Sequence, residues 1–135
     1  MDILLVVDSM TGQGKRFAQK IGFPVEDIQV AKPEPNQSVF LITRSYNFGQ
    51  IPETTQAFLA MYHTQVIGVA VGGNRTWGQN FGAAGDKIHT QFGIPLVQKF
   101  EGTGFPQEVK NVQLWLNAYV EKHHSKIIST QLKKN

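Results

Sequence analysis

A polar loop whose residues are suited to binding an anion lies between an apolar run and the helix predicted to follow it. The stretch from Asp8 to Lys15 reads Asp-Ser-Met-Thr-Gly-Gln-Gly-Lys and comes directly after the apolar run Ile3–Val7. Small hydroxyl residues and glycines let several backbone N–H groups converge on one anion, and a helix N-terminus adds partial positive charge. The pattern predicts a phosphate-binding loop made of Ser9, Met10, Thr11, Gly12, Gln13 and Gly14.

Two common phosphate motifs do not fit this loop. A P-loop requires glycine at Ser9 and a hydroxyl residue at Arg16, and a dinucleotide fingerprint requires glycine at Phe17. The remaining pattern, Ser-x-Thr-Gly-x-Gly, resembles the flavodoxin loop that binds the phosphate of flavin mononucleotide (FMN) without a positive side chain. Lys15 and Arg16 are therefore expected to stay outside the site. The alternative is a strand-to-helix turn that binds nothing.

A second candidate loop follows the apolar run Val39–Ile42 and contains an aromatic pair. Tyr46 and Phe48 offer a stacking wall for a planar ring, and Gly49 can reorient its peptide at low steric cost. In flavodoxins the corresponding peptide turns its carbonyl toward the flavin N5 atom when that atom gains a proton, which tunes the cofactor. The alternative is a turn with two exposed aromatic side chains. The candidate residues are Thr43, Arg44, Ser45, Tyr46, Asn47, Phe48 and Gly49.

A third candidate loop follows the apolar run Val66–Val71 and is rich in glycine. Trp77 is expected to stack on a flavin ring, and Asn74 to meet its pyrimidine edge. Arg75 is expected to offset the negative charge that develops when a flavin is reduced. The alternative is a glycine-rich loop with Trp77 packed on a neighbouring helix. The candidate residues are Gly73, Asn74, Arg75, Thr76 and Trp77.

Strands and helices must alternate to hold these loops together. Helices are predicted to begin near Lys15, Pro52, Phe81 and Pro106. Strands are predicted at Ile3–Val7, Asp27–Val30, Ser38–Thr43, Val66–Val71 and Ile94–Phe100. This alternation is typical of α/β proteins with a parallel sheet and helices on both faces, in which ligands bind beyond the C-terminal strand ends.

Finer predictions concern which side chains these elements bury. The second helix is expected to turn Ala57, Phe58 and Met61 toward the sheet, and the third helix to include Phe81. Pro95 suggests that the fifth strand lies at an edge, since proline cannot donate a ladder hydrogen bond.

Three segments resemble, in order, the signature of the NrdI family. They are Tyr-Asn-Phe-Gly-x-Ile-Pro at 46–52, Gly-Asn-Arg-x-Trp-Gly-x-x-Phe-Gly-Ala-Ala-Gly-Asp at 73–86, and Ile-Pro-Leu-Val-x-Lys-Phe-Glu-x-x-Gly at 94–104. The resemblance spans Ile3 to about Val120 and implies a flavodoxin-like three-layer sandwich with strand order 2-1-3-4-5. We assign residues 1–121 to this FMN-binding domain and expect residues 122–135 to form a flexible basic tail.

The NrdI proteins are flavodoxin-like activators of class Ib ribonucleotide reductase, and the resemblance implies the same function here. Their FMN, reduced by an electron donor, reacts with dioxygen and yields an oxidant, superoxide. The oxidant serves the small subunit of the reductase, where it helps to form the dimanganese-tyrosyl radical cofactor. The resemblance therefore implies a redox accessory protein without catalytic side chains of its own.

Composition limits the other possibilities. The 135 residues are 41% hydrophobic and 17% charged, which is typical of a globular domain. No cysteine is present, which excludes disulfides and thiolate ligands and fits a cytoplasmic location. The spacing of the histidines predicts no metal site. The longest apolar run, Ile3–Val7, is too short for a membrane segment or signal peptide. The net charge of +3 comes without a basic-aromatic module, so no nucleic-acid partner is expected.

Other functions stay open on the residues alone. An electron-carrier flavodoxin would use the same loops and FMN but would serve another redox enzyme. A non-redox module would bind a different phosphate compound in the first loop, although Tyr46, Phe48 and Trp77 argue against it. A nicotinamide-dependent enzyme is disfavoured because no second domain is predicted to hold the dinucleotide.

Overall fold

A computed structural model describes residues 3–134, with side chains described for residues 3–123. These residues form five β-strands and four α-helices, which alternate along the chain as the sequence predicts except that no helix separates the second strand from the third. The strands are β1 (Ile3–Val7), β2 (Val25–Asp27), β3 (Ser38–Arg44), β4 (Val66–Gly73) and β5 (Leu96–Glu101). The helices are α1 (Gln13–Ile21), α2 (Glu53–Tyr62), α3 (Ala83–Phe92) and α4 (Pro106–Lys134). Short 3₁₀ turns cover His63–Gln65 and Arg75–Asn80.

The strands form one parallel sheet in the order β2-β1-β3-β4-β5, which confirms the predicted topology. The chain leaves β1 toward β2 on one side and leaves β3 toward β4 on the other. The loops after β1 and β3 therefore diverge, and such a switch point is where open α/β sheets bind ligands. The predicted edge position of the fifth strand is also confirmed, because β5 pairs only with β4 among the described strands.

Alternate residues of the strands enter two separate cores. Along β1, even-numbered residues face the core that contains Leu59 of α2 and Ile88 of α3. Odd-numbered residues face the opposite core, which contains Phe17 of α1 and Leu116 of α4. Side chains alternate because successive Cβ atoms of a strand point to opposite faces. Each large apolar side chain buried in this way contributes about 1.5–3 kcal/mol, so both helical layers are held by burial.

The second strand lies earlier than predicted. The prediction of a strand at 27–30 is wrong, since β2 covers Val25–Asp27 and pairs Val25 with Leu5. Asp27 ends the strand because its carboxylate accepts a hydrogen bond from the N–H of Gln29 at 2.9 Å. Its carbonyl also accepts from Ala31, so the chain turns away from the sheet. A local side-chain bond of this kind competes with the ladder.

The buried face of α2 also differs from the prediction. Phe58 is buried as expected, but Ala57 is exposed and Met61 is 73% exposed. The buried side chains are instead Thr55, Phe58 and Leu59. The hydroxyl of Thr55 forms buried hydrogen bonds below the helix, which fix its rotation. The third helix begins at Ala83, so Phe81 precedes it.

The last helix is longer than predicted. Its backbone continues to Lys134 and so includes most of the stretch assigned to a basic tail, 122–135. The side chains after residue 123 and all of residue 135 lie outside the described part, and the flexibility of the tail stays a prediction. Between residues 3 and 134, none of the helices is both long and apolar enough to cross a membrane.

Candidate functional site

The three predicted loops meet over the carboxyl ends of the strands. They surround a cavity of about 630 Å³, and small-molecule sites typically measure about 300–1,000 Å³. A depression of similar volume beside α2 and α3 is lined mainly by polar side chains and shares no lining residue with the loop cavity. The predicted residues that line the loop cavity are Ser9, Met10, Thr11, Gln13, Gly14, Thr43, Arg44, Ser45, Tyr46, Asn47, Gly73, Asn74 and Trp77.

The first loop is shaped by a glycine and a serine. Gly12 adopts the left-handed conformation at φ 85° and donates its N–H to Oγ of Ser9 at 2.9 Å. As the N-cap of α1, Gly12 has no side chain that could accept from the first helical turn. The free N–H groups at the start of a helix favour an anion, and Thr11 is exposed beside them. This loop can therefore bind a phosphate with its backbone.

The second loop is a tight hairpin. Tyr46 and Gln50 exchange two backbone hydrogen bonds of 2.7 Å, and Gly49 between them adopts φ 90°. A Cβ at Gly49 would lie 2.6 Å from that of Ala83, so the position requires glycine. Phe48 occupies the tip and is 82% exposed. The hairpin therefore presents Tyr46 to the cavity and directs Phe48 to solvent.

The third loop is held by its own side chains and by two carboxylates. Oδ1 of Asn74 accepts from the N–H of Thr76 at 2.9 Å and from its hydroxyl at 2.7 Å. The N–H of Arg75 donates to Glu101 at 2.9 Å, and its guanidinium donates to Glu108 at 2.7 Å. The hydrogen bond to Glu108 raises the pKa of Arg75. Arg75 therefore faces β5 and α4 as a fixed positive charge.

Several predicted residues do not line the cavity, and several lining residues were missed. The predicted residues outside the lining are Gly12, Phe48, Gly49, Arg75 and Thr76. The missed ones are Asp8, Gly72, Phe100, Glu101 and Gly102. Asp8 and Glu101 each stand at the C-terminal end of a strand. Because parallel sheets bind ligands beyond these ends, the sequence could have identified both residues. The ring of Phe100 is a core side chain that stacks on Phe17, which only the packing reveals.

A buried polar network lies between the first and second loops. Asp8, 5% exposed, accepts hydrogen bonds from the hydroxyls of Thr54 and Thr55, the second at 2.6 Å. The hydroxyls of Thr55 and Thr43 lie 2.6 Å apart. Nη2 of Arg44 lies 3.6 Å from Oδ1 of Asp8. Among the described side chains, Nε of Arg44 is the buried polar atom without a hydrogen-bond partner. Arg44 thus lines the cavity with a guanidinium whose donors are not all used by the described residues.

Metal ligands are not gathered at this site. Within the described residues, histidine, aspartate and glutamate form no cluster of three or more that could hold a metal ion. Asp86 is instead paired with Lys99 at 2.7 Å on the surface. The chemical groups that line the cavity include backbone amides, side-chain amides, hydroxyls, aromatic rings, the carboxylate of Glu101 and the Asp8–Arg44 pair.

Comparisons with known proteins identify the family. Residues 5–114 match the family described as NrdI Flavodoxin like. The SPbeta prophage-derived protein NrdI of Bacillus subtilis (strain 168) is 37% identical over 134 residues, with 94% of this chain and all of that protein covered. Protein NrdI of Deinococcus radiodurans is 31% identical over 119 residues, with 87% and 84% covered.

Solved structures share the fold at low sequence identity. Fusobacterium nucleatum flavodoxin bound to flavin mononucleotide superposes with a TM-score of 0.65 at 14% identity, covering 90% of this chain and 98% of that one. Flavodoxin 1 from Bacillus cereus gives 0.61 at 17% identity, covering 90% and 98%. At this identity the likeness establishes the flavodoxin fold alone, whereas the family match covers most of the sequence. The chain belongs to the NrdI flavodoxin-like family.

Proposed function

We propose that this chain binds FMN in the cavity between the three loops and activates class Ib ribonucleotide reductase in the cytoplasm. The observation that carries the proposal is the convergence of the three loops on one cavity at the switch point of the sheet. Membership of the NrdI family supports the choice of partner, the small subunit of the reductase.

Each loop would hold a different part of the cofactor. The backbone amides from Ser9 to Gly14 would bind the phosphate, since the start of α1 has no side-chain cap. Trp77 and Tyr46 line the cavity and are about half exposed, which suits side chains that cover a flat ring. Asn74 lines the same cavity and supplies an amide for the polar edge of the ring.

The protein's own groups would bind and orient the cofactor and leave one side of it accessible. When bound, FMN supplies electrons from a reducing donor that convert dioxygen to superoxide for assembly of the dimanganese-tyrosyl radical cofactor. Met10 lines the cavity and is 69% exposed, and Phe48 at the hairpin tip is 82% exposed. Exposed apolar side chains of this kind favour contact with a protein partner.

The experiment has two steps. The purified chain is first titrated with FMN, and we expect saturable quenching of flavin fluorescence at one FMN per chain. The flavin is then reduced without oxygen and exposed to dioxygen beside the manganese-loaded small subunit. We expect tyrosyl radical, measured by electron paramagnetic resonance, only when all components are present.

An FMN-loaded electron-carrier flavodoxin provides the matched control, because it has the same fold and cofactor. Absence of FMN binding would remove the proposal altogether. FMN binding without radical formation, or equal radical formation by the control, would favour the electron-carrier function instead.

A further inference from the structure

A buried negative charge stands next to the loop that would bind a phosphate. Asp8 lines the cavity beside Ser9, and its carboxylate is only 5% exposed. The backbone places it there, because its N–H donates to the carbonyl of Ile42 at 2.8 Å at the β1–β3 junction. Like charges a few ångströms apart repel strongly where water is excluded. A phosphate in the first loop would therefore be disfavoured unless a positive charge offset that of Asp8.

Arg44 is the positive charge placed to do so. It lies two residues after Ile42, lines the same cavity, and holds Nη2 3.6 Å from Oδ1 of Asp8. That separation exceeds the length of about 2.7–2.9 Å that is typical of a charge-assisted hydrogen bond. Asp8 instead accepts hydrogen bonds from the hydroxyls of Thr54 and Thr55. Asp8 thus attracts the guanidinium without using up its donors.

The donors of Arg44 are not all used by the protein. Its Nε is buried and has no hydrogen-bond partner among the described residues. A buried donor without an acceptor is costly, and a shift of the Arg44 side chain toward an anionic ligand would not break an existing hydrogen bond of that atom. The other cations near the first loop, Lys15 and Arg16, are exposed and do not line the cavity. Arg44 is therefore the side chain of this region in which a positive charge, a place in the cavity lining and an unused donor coincide.

We propose that Arg44, held near Asp8, contacts the phosphate-bearing end of the flavin cofactor and makes the site prefer phosphorylated flavin to riboflavin. The proposal rests on the proposed function and deepens it, because it assigns the cofactor specificity to one side chain. It also departs from the expectation that a loop of this type needs no positive side chain.

The test compares FMN with riboflavin, which lacks the phosphate. Dissociation constants for both are measured by flavin fluorescence in the wild-type chain and in Arg44→Gln. We expect Arg44→Gln to weaken FMN binding about tenfold, the effect of losing one charge-assisted contact, and to change riboflavin binding less than about twofold. The matched control is Arg16→Gln, which removes the same charge from an exposed position and should change both constants less than about twofold.

A double variant separates charge compensation from mere proximity. In Asp8→Asn/Arg44→Gln both charges are absent, so FMN binding should recover by about threefold or more relative to Arg44→Gln alone. Thermal unfolding of each variant without flavin shows whether it is folded. If Arg44→Gln does not fold, Arg44→Lys replaces it and should keep the preference for FMN, because it keeps the charge.

The other possible outcomes would contradict either the assignment of Arg44 or the proposed function. Equal weakening of FMN and riboflavin in Arg44→Gln, an unchanged FMN constant, or loss of the preference in a folded Arg44→Lys would refute the assignment of Arg44. A wild-type chain that binds neither flavin would instead refute the proposed function.

Discussion

The first and third loops line the same cavity but are built in opposite ways. The first loop, Ser9–Gly14, has one internal side-chain hydrogen bond, between Ser9 and Gly12. The third loop is fixed by the carboxamide of Asn74 and by the pairing of Arg75 with two carboxylates. The difference indicates that protein side chains supply the contacts that fix the third loop, whereas a ligand would supply those that fix the first. Substitution of residues that hold the third loop should therefore reduce stability, and substitution of residues that face the cavity should reduce flavin affinity.

The largest expected effect is that of Glu108→Ala on stability. Glu108 accepts from the N–H of Phe105 at the start of α4 at 2.7 Å and from Arg75 at 2.7 Å. Losing the helix cap should lower the free energy of unfolding by about 2 kcal/mol, the upper end of the range for caps, and the pair with the exposed Arg75 guanidinium adds little to that. Urea denaturation measures the change. Glu108→Gln, which keeps an acceptor oxygen, should lose less, and a loss below about 0.5 kcal/mol in Glu108→Ala would break the contrast between the loops.

Trp77→Ala should act more on affinity than on stability. Trp77 lines the cavity and is 47% exposed, so removal of its ring loses only part of the packing of a buried tryptophan. Loss of an aromatic contact should weaken FMN binding about tenfold, or about 1.4 kcal/mol, with the free energy of unfolding changed by less than about 1 kcal/mol. Isothermal titration with FMN measures the change in affinity, and urea denaturation measures the change in stability. Trp77→Phe keeps a ring and should bind FMN within about threefold of the wild type.

Ser9→Ala probes the single side-chain bond of the first loop. Removing the hydroxyl frees the N–H of Gly12 and should lower the free energy of unfolding by no more than about 1 kcal/mol. FMN binding should weaken by about threefold to tenfold, since a less ordered loop must be ordered by the ligand. Ser9→Thr keeps the acceptor and is the control. A loss of stability as large as that of Glu108→Ala would show that protein side chains also fix the first loop.

The smallest effect is expected for Phe48→Ala. The side chain is 82% exposed at the hairpin tip and does not line the cavity. Its removal should change the free energy of unfolding by less than about 0.5 kcal/mol and FMN affinity by less than about twofold. A tenfold loss of FMN affinity would instead support the sequence-based prediction that Phe48 stacks against the flavin. Tyr46→Ala serves as the comparison, because it removes a ring that does line the cavity.

The strands with continuous apolar sequence were predicted well, and the short edge strand was not. Ile3–Val7 is buried on both faces, so its burial requires a central strand, and the structure places it there. The stretch from Val25 to Val30 is only partly buried, and there the choice between strand and turn depends on which backbone groups find partners. The carboxylate of Asp27 decided that choice in favour of a turn. Where the local sequence pattern is weak, such contacts determine whether a segment forms a strand or a turn.

The amino-acid sequence alone was enough to predict most strands and helices, the parallel sheet, and the edge at which three polar loops converge. These properties follow from local pattern, because continuous apolar runs must be buried and parallel strands require crossovers. The packed structure was needed to show that Arg75 contacts Glu108, that Phe48 is exposed to solvent, and that Arg44 approaches Asp8 with a donor unused. A side chain's partner depends on residues distant in sequence, whose separation is fixed only when the two cores close around the sheet.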